Sequence, residues 1–396
     1  MAKKTRAHKS KEPIKILAII FSVLIFAYIA VALMGQIGAV VNTKFASNVA
    51  AAGTSALVPQ IDPATGYATF TTDEPLKILV LSDIHIGGGF LCLRKDRWAL
   101  QSVEKMVKGT NPDLVILTGD LAYPFPIQSG TCDNMVASKE IGTLMESLGV
   151  YWAVTLGNHD SEVYAYYDRE QIADYYESLE HCLFVKGPED VDGYGNYFIN
   201  VKNTAGVITQ ALVLMDSHSY KKGFLRDYDN IHQNQVDWYE REINRLKAQN
   251  AEKGVDKLDS LAFFHIPLTE YKTAYLEYVA AGKQDTANVK YNYGVYGESE
   301  SIEYVSCGTG EDEMFEKMLE LGSTKAVFVG HDHDNNGSFA YNGGSGDKYI
   351  DLNYVMSIDY LAYFGIWKRS YQRGGTLITV NPDGSFEYGL KPIDEV

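Results

Sequence analysis

The sequence predicts an α/β domain with a largely parallel sheet, standing behind one membrane-spanning helix. Three observations predict it. Five short apolar runs, each closed by polar residues of the same kinds, recur between residues 78 and 333. Helical spacing fills the gaps between them, and an uncharged stretch of 19 residues precedes everything else. At 396 residues, 46% hydrophobic and 22% charged, the composition is that of a globular chain and not of a disordered one.

The elements follow in chain order. Residues 1–15 carry Lys3, Lys4, Arg6, Lys9, Lys11 and Lys15 against Glu12, a net of +5. The formal charge of the whole chain is −16, which leaves −21 over residues 16–396. Ile16 to Met34 then runs without a charge, about the length that crosses a bilayer as a helix. We therefore expect a basic cytoplasmic tail over 1–15, a transmembrane anchor over 16–35, and the body outside the cytoplasm, because basic flanks stay inside. The competing expectation is a cleaved signal followed by secretion. Its apolar region is usually shorter, about 7–15 residues, and the small-residue site Ala30-Val31-Ala32 falls inside this run. Residues 36–74, rich in Ala, Thr, Gly and Asn, read as a linker, and the body as residues 75–396.

Within the body, Ile78-Leu79-Val80-Leu81 runs into Ser82-Asp83-Ile84-His85. Leu114-Val115-Ile116-Leu117 runs into Thr118-Gly119-Asp120. Trp152 to Leu156 runs into Gly157-Asn158-His159-Asp160. Leu261 to Phe264 runs into His265, and Ala326 to Val329 into Gly330-His331-Asp332-His333. Continuous aliphatic runs of four or five residues read as strands buried on both faces. Residues 97–108 and 138–148 carry apolar side chains at helical spacing. Near the end, Gly375 to Val380, the turn Asn381-Pro382-Asp383-Gly384 and Ser385 to Tyr388 read as strand, turn, strand.

Ligands of open α/β sheets bind beyond the carboxyl ends of the strands. All five runs place Asp, Asn or His there, so residues 250 positions apart can converge. In an extended segment Asp83 and His85 would point to one side, as would His331 and His333. Imidazoles, carboxylates and one amide oxygen suit Zn, Mn or Fe, and two ions sharing one carboxylate would use the whole set. Each piece alone has a plainer role as a turn, a cap or a core histidine. The five in order are hard to assign to chance. Cysteines 92, 132, 182 and 307 form no CxxC pair and leave both disulfide pairing and redox compartment open.

Together these blocks resemble the five-block signature of calcineurin-like metallophosphoesterases. Phe263 to Leu268, Lys325 to His333 and Leu214 to Ser217 are similar to the purple-acid-phosphatase-like branch of secreted phosphatases. The resemblance covers residues 76–396 and implies a two-sheet αββα sandwich. It implies two divalent metal ions (Mn, Zn or Fe), one held by Asp83, His85, Asp120 and His333. The other would be held by Asp120, Asn158, His265 and His331, with Asp120 bridging. Gly119-Asp120-Leu121-Ala122-Tyr123 also matches the branch in which the tyrosine binds ferric iron. That branch lacks the histidine found here at 85, so Tyr123 is expected to pack instead.

The implied chemistry is hydrolysis of phosphate esters by a hydroxide formed between the two ions. His159 is expected to protonate the leaving oxygen, with Asp160 either orienting it or capping the next helix. Arg94, Lys95 and Arg97 suit a solvated helix start better than a substrate contact. His181, His218 and His232 have no motif partner. The expected partner is a phosphate ester, whether small molecule, nucleotide or lipid phosphate. The acidic body argues against duplex nucleic acid and makes a nuclease or phosphodiesterase the second choice. A surface binding protein on an inactive phosphatase scaffold is the alternative from another class, and it would be expected to lack ligands. Between His265 and His331, Tyr271, Tyr275, Tyr278, Tyr291, Tyr293, Tyr296 and Tyr304 suggest either a specificity lid over 283–305 or an excursion packed on its own tyrosines.

Overall fold

A computed structural model describes residues 12–53, 57–221, 227–297, 305–310, 312–344, 346–362 and 372–396. The basic residues before Glu12 and Tyr304 lie outside the described residues.

Helix α1 (Glu12–Ala46) opens the chain. It is long and apolar enough to cross a membrane, with a mean hydropathy of 2.9 over its most apolar window. Strands β1 (Gln60–Ile61) and β2 (Ala68–Thr71) follow, then β3 (Leu76–Leu81). Next come α2 (Leu93–Thr110), β4 (Leu114–Thr118), α3 (Pro126–Ser129), α4 (Asn134–Leu148) and β5 (Tyr151–Thr155). Helix α5 (Arg169–Glu177), β6 (Tyr197–Lys202), β7 (Ile208–Leu214), α6 (Gln233–Ala251) and β8 (Asp259–Phe263) lead to α7 (Thr269–Ala280) and β9 (Val289–Tyr293). The chain closes with α8 (Met314–Leu321), β10 (Thr324–Val329), β11 (Ser338–Tyr341), β12 (Ile350–Tyr354), β13 (Gly374–Val380) and β14 (Phe386–Pro392).

The strands form two mixed sheets. Five lie in the order β14-β13-β3-β4-β5, and nine in the order β1-β2-β6-β7-β8-β10-β12-β11-β9. The five apolar runs form β3, β4 and β5 in one sheet and β8 and β10 in the other, and β7 and β12 extend the second parallel centre to β7–β8–β10–β12. The closing hairpin β13–β14 attaches antiparallel to β3, so the sheets are less parallel than the runs alone suggest. Residues of both sheets share one core: Tyr388 of β14 packs edge-on against Phe328 of β10 at 5.4 Å, and Tyr197 of β6 donates to the Val154 carbonyl at 2.9 Å. Helix α6 packs on the outer face of the larger sheet through Trp238 against Phe198, 5.2 Å apart.

The segment 36–74, expected to be a linker, is built into the domain. Helix α1 does not stop at Gly35 but continues to Ala46, and β1 and β2 join the larger sheet. The cause is a stripe of small and polar residues at helical spacing. Gly35, Gly38, Asn42 and Ala46 are all buried. A Cβ on Gly38 would sit 2.7 Å from the Gly89 carbonyl carbon, so only glycine lets the two backbones approach this closely. Arg97 donates from Nε to the Asn42 side chain at 3.1 Å and from Nη2 to the Val41 carbonyl at 3.2 Å. This cation holds α1. Arg94, exposed, lies 4.5 Å from the Trp98 ring.

The tyrosine segment packs on itself in its described part. Tyr278 stacks on Tyr291 at 5.6 Å, Tyr275 on Tyr296 at 5.3 Å, and Tyr296 on Phe339 at 4.7 Å, beside the edge strand β9.

Candidate metal centre

The loops leaving β3, β4, β5, β8 and β10 meet at one end of both sheets. The loop after β3 is zipped to the loop after β4: Asp83 N donates to the Gly119 carbonyl at 3.1 Å and His85 N to the Asp120 carbonyl at 3.1 Å. This fixes the first two blocks against each other. Asp83 and His85 do not reach the site from extended backbone. Asp83, His85, Asp120 and His331 take φ of 50°, 51°, 52° and 76°, four of the seven non-glycine residues with positive φ among those described. Each such residue costs of order 1 kcal/mol, and the surrounding hydrogen bonds hold it there.

Two side-chain groups result. In the first, ligand atoms of Asp83, His85, Asp120 and His333 lie within 4.8 Å of one another; in the second, those of Asp120, His265 and His331 do. Asp120 Oδ2 faces both, 3.4 Å from His85 Nε2 and 3.1 Å from His265 Nε2. Its Oδ1 accepts from His159 N at 2.8 Å. Asp83 Oδ1 lies 3.2 Å from His333 Nε2. Asn158 Oδ1 is 3.2 Å from His265 Nε2, while its Nδ2 donates to the Tyr220 hydroxyl at 3.0 Å. That bond turns the amide oxygen toward the second group.

Charge in this cluster is divided between carboxylates and imidazoles. Burial pushes the Asp120 carboxyl up, but the neighbouring His265 and His159 outweigh it and hold it well below the usual range. Burial likewise opposes protonation of His85, yet the bonds to Asp120 and Asp359 lift it to about 9. His331 moves the other way, down to about 3, by burial and the nearby His265. Among the described residues, Asp83 and Asp120 accept only from ring nitrogens and backbone N–H groups. Two buried carboxylates with no lysine or arginine on them among the described residues, surrounded by imidazole nitrogens, form a donor set that fits divalent cations.

The rings are oriented from behind. His265 Nδ1 lies 2.8 Å from the Thr118 carbonyl, which fixes the tautomer that leaves Nε2 for a metal. Asp359 sits behind the first group, 3.5 Å from His85 Nδ1 and 3.7 Å from His333 Nδ1. Sequence reasoning missed it. It follows β12, which pairs parallel with β10, so its place at a strand end was a usable signal.

His159 stands beside the cluster, its ring 5.5 Å from that of His85. Its Nδ1 lies 2.7 Å from Glu162 Oε1, which also accepts from the Tyr220 hydroxyl at 3.2 Å. Nε2 is thereby the nitrogen left for a substrate. The orienting carboxylate is Glu162, another residue not anticipated, and not Asp160. The Asp160 carboxylate accepts the backbone N–H groups of Asp120 (3.0 Å), Ala122 (2.8 Å) and Gly157 (2.8 Å). It ties the loops after β4 and β5 together. Tyr123 packs edge-on to His85 at 5.2 Å and His159 at 4.9 Å, a wall of the site. Arg169 braces the same loop: it donates to the carbonyls of Leu156 (2.9 Å) and Gly157 (2.8 Å) and pairs with buried Asp216. His218 and His232 stack on each other at 4.1 Å, and His181 pairs with Glu146.

Residues 76–335 match the calcineurin-like phosphoesterase family. Two Arabidopsis thaliana relatives are named "Probable inactive purple acid phosphatase 29" and "Probable inactive purple acid phosphatase 14". The first is 26% identical over 79% of this chain and 78% of its own, the second 28% over 76% and 75%. A solved structure of a dimetal phosphatase from Danio rerio aligns with 81% of this chain and 97% of its own at 9% identity, with a TM-score of 0.49.

Proposed function

The chain belongs to the calcineurin-like phosphoesterase family, and on that premise we propose that it is an active, membrane-anchored metallophosphoesterase whose catalytic body lies outside the cytoplasm. The observation that carries the proposal is the completeness of the site. Asp83, His85, Asp120 and His333 would hold one divalent ion, and Asp120, Asn158, His265 and His331 the other, with oxygen and nitrogen donors already aimed at two adjacent points. Such ions supply Lewis-acid activation of water and positive charge for the phosphoryl oxygens. The remaining chemistry belongs to the chain. His159, with Nδ1 engaged by Glu162, presents Nε2 at the edge of the cluster, the position from which a general acid serves a leaving alkoxide. Tyr123 shields that ring on one side.

The word "inactive" in the names of two relatives favours a second reading, a binding protein on a phosphatase scaffold. One experiment separates them. The purified full chain, stripped with chelator and reloaded with Mn or Zn, is assayed on a panel of phosphate mono- and diesters beside His159→Ala. Metal-dependent turnover, lost by about 10²-fold or more in His159→Ala for poor leaving groups and less for nitrophenyl esters, supports the enzyme. No metal-dependent turnover of any ester supports the scaffold reading.

A further inference from the structure

The direction in which α1 leaves the domain bears on the substrate. Helix α4 connects the parallel strands β4 and β5, so it runs antiparallel to them and begins at their carboxyl ends, beside the metal centre. Helix α1 lies along α4 in the same direction. Gly35 abuts Thr131 just ahead of α4, and Ala52 N, past the end of α1, bonds the Leu148 carbonyl at 3.0 Å. The part of α1 before Gly35 therefore projects from the face that carries the ligands. The uncharged run ends at Met34, so a bilayer crossed by Ile16–Met34 begins at the level of that face.

The loops there are apolar on their outsides. Of eleven large apolar side chains exposed outside α1 among the described residues, five lie on the three loops that follow His85, Asp120 and Asn158: Phe90, Leu91, Ile127, Val163 and Tyr166. Ile127 is 78% exposed and Val163 92%. The loops belong together. Tyr166 N bonds the Cys132 carbonyl at 3.0 Å. Gly38 of α1 touches the Gly88–Gly89 backbone. The same loops wall the site, since His159 precedes Val163 and Tyr123 precedes Ile127. Apolar side chains ringing the exit of a membrane helix are the arrangement that seats in the headgroup–acyl boundary.

We propose that the bilayer itself is the docking partner of this rim, and that the site hydrolyses phosphate esters whose alcohol is a lipid of that bilayer. The proposal rests on the phosphoesterase reading above and on an uncleaved α1. In the reaction the P–O bond to the lipid alcohol breaks; water supplies the new oxygen on phosphorus and the proton that the alcohol takes up, leaving inorganic phosphate.

The test uses the full metal-loaded chain in phosphatidylcholine vesicles doped with phosphatidic acid. Ile127→Trp and Val163→Trp should each add fluorescence that brominated lipids quench beyond the parent chain's level. The triple variant Leu91→Ser/Ile127→Ser/Val163→Ser should keep its kcat/KM on a water-soluble aryl phosphate and lose about tenfold or more on vesicle phosphatidate. Absence of added quenching overturns the docking. Quenching with equal rates of parent and triple variant on phosphatidate overturns the lipid substrate. Quenching without hydrolysis of any ester upholds the docking and refutes the phosphoesterase reading together with the lipid substrate, so the two failures are distinguishable.

Discussion

The two candidate metal pockets share Asp120 but are backed by different material. Behind the first stands a buried carboxylate, Asp359, facing the Nδ1 atoms of both His85 and His333. Behind the second stand neutral groups, the Thr118 carbonyl on His265 and the Tyr220 hydroxyl on Asn158, with the cationic Arg169 brace one layer further out. His331 is partly exposed there, with Tyr228 edge-on at 4.3 Å. A carboxylate behind an imidazole raises its basicity, whereas a carbonyl chiefly orients it. The first pocket should therefore hold its ion more tightly, and the second should be the one that exchanges.

The most damaging way to break this asymmetry is at the shared residue. Asp120→Ala should empty both pockets together and lower the rate by about 10³-fold or more, since each ion supplies several kcal/mol of charge stabilisation. Metal analysis and kcat read this directly, and full metal content with a normal rate would remove Asp120 from both sets. Asp359→Asn should act on one pocket alone. Removing such a support costs about 10–100-fold in metal affinity, so chelator titration should show the tight phase weakening and the loose phase unmoved. Equal weakening of both phases would contradict the asymmetry.

The brace of the second pocket can be probed by acid. Burial opposes ionisation of Asp216, but Arg169 beside it holds the carboxyl at about 2, below its usual 3.8. A depressed carboxyl contributes stability that is present above the ordinary value and lost as pH falls toward 2; here that is about 2 kcal/mol. Asp216→Asn should flatten the stability profile between pH 4 and 2 that urea unfolding measures in the parent. An unchanged profile would place the acid-sensitive group elsewhere. The smallest expected effect is at Glu162→Gln. Both ions should stay, and turnover of esters with poor leaving groups should fall about tenfold, a part of what a general acid contributes. An equal loss on nitrophenyl esters would mean that Glu162 shapes the pocket and does not orient His159.

What was legible in the sequence has a physical boundary. The seven candidate ligand positions sit where apolar runs stop, and strand ends are brought together by the sheet whatever the intervening chain does. Asp359 escaped because β12 carries Asp351 and Asn353 inside its run and does not read as a buried strand. Glu162 and Arg169 act through a neighbour, and a side chain that serves another residue leaves no motif; Asp216 stood inside the Leu214–Ser217 block, which carried the resemblance without showing what the carboxylate does. Glu162 does lie three positions after His159, the spacing at which side chains on a turn meet. The linker expectation rested on composition, which does not show that Gly35 and Gly38 fall with Asn42 and Ala46 on one buried helical face. In the folded chain they are contact residues, and the contact offsets the helix propensity they forfeit. The positive φ at Asp83 and His85 has no sequence signal of its own, because neither is glycine.

Those left-handed ligand positions carry one more consequence. Glycine takes such a backbone without penalty, so Asp83→Gly or His331→Gly would relieve strain in the same step that deletes a ligand. At these positions thermal robustness and turnover pull in opposite directions. Selection for heat resistance alone, with no demand for activity, would erode the site from its own backbone.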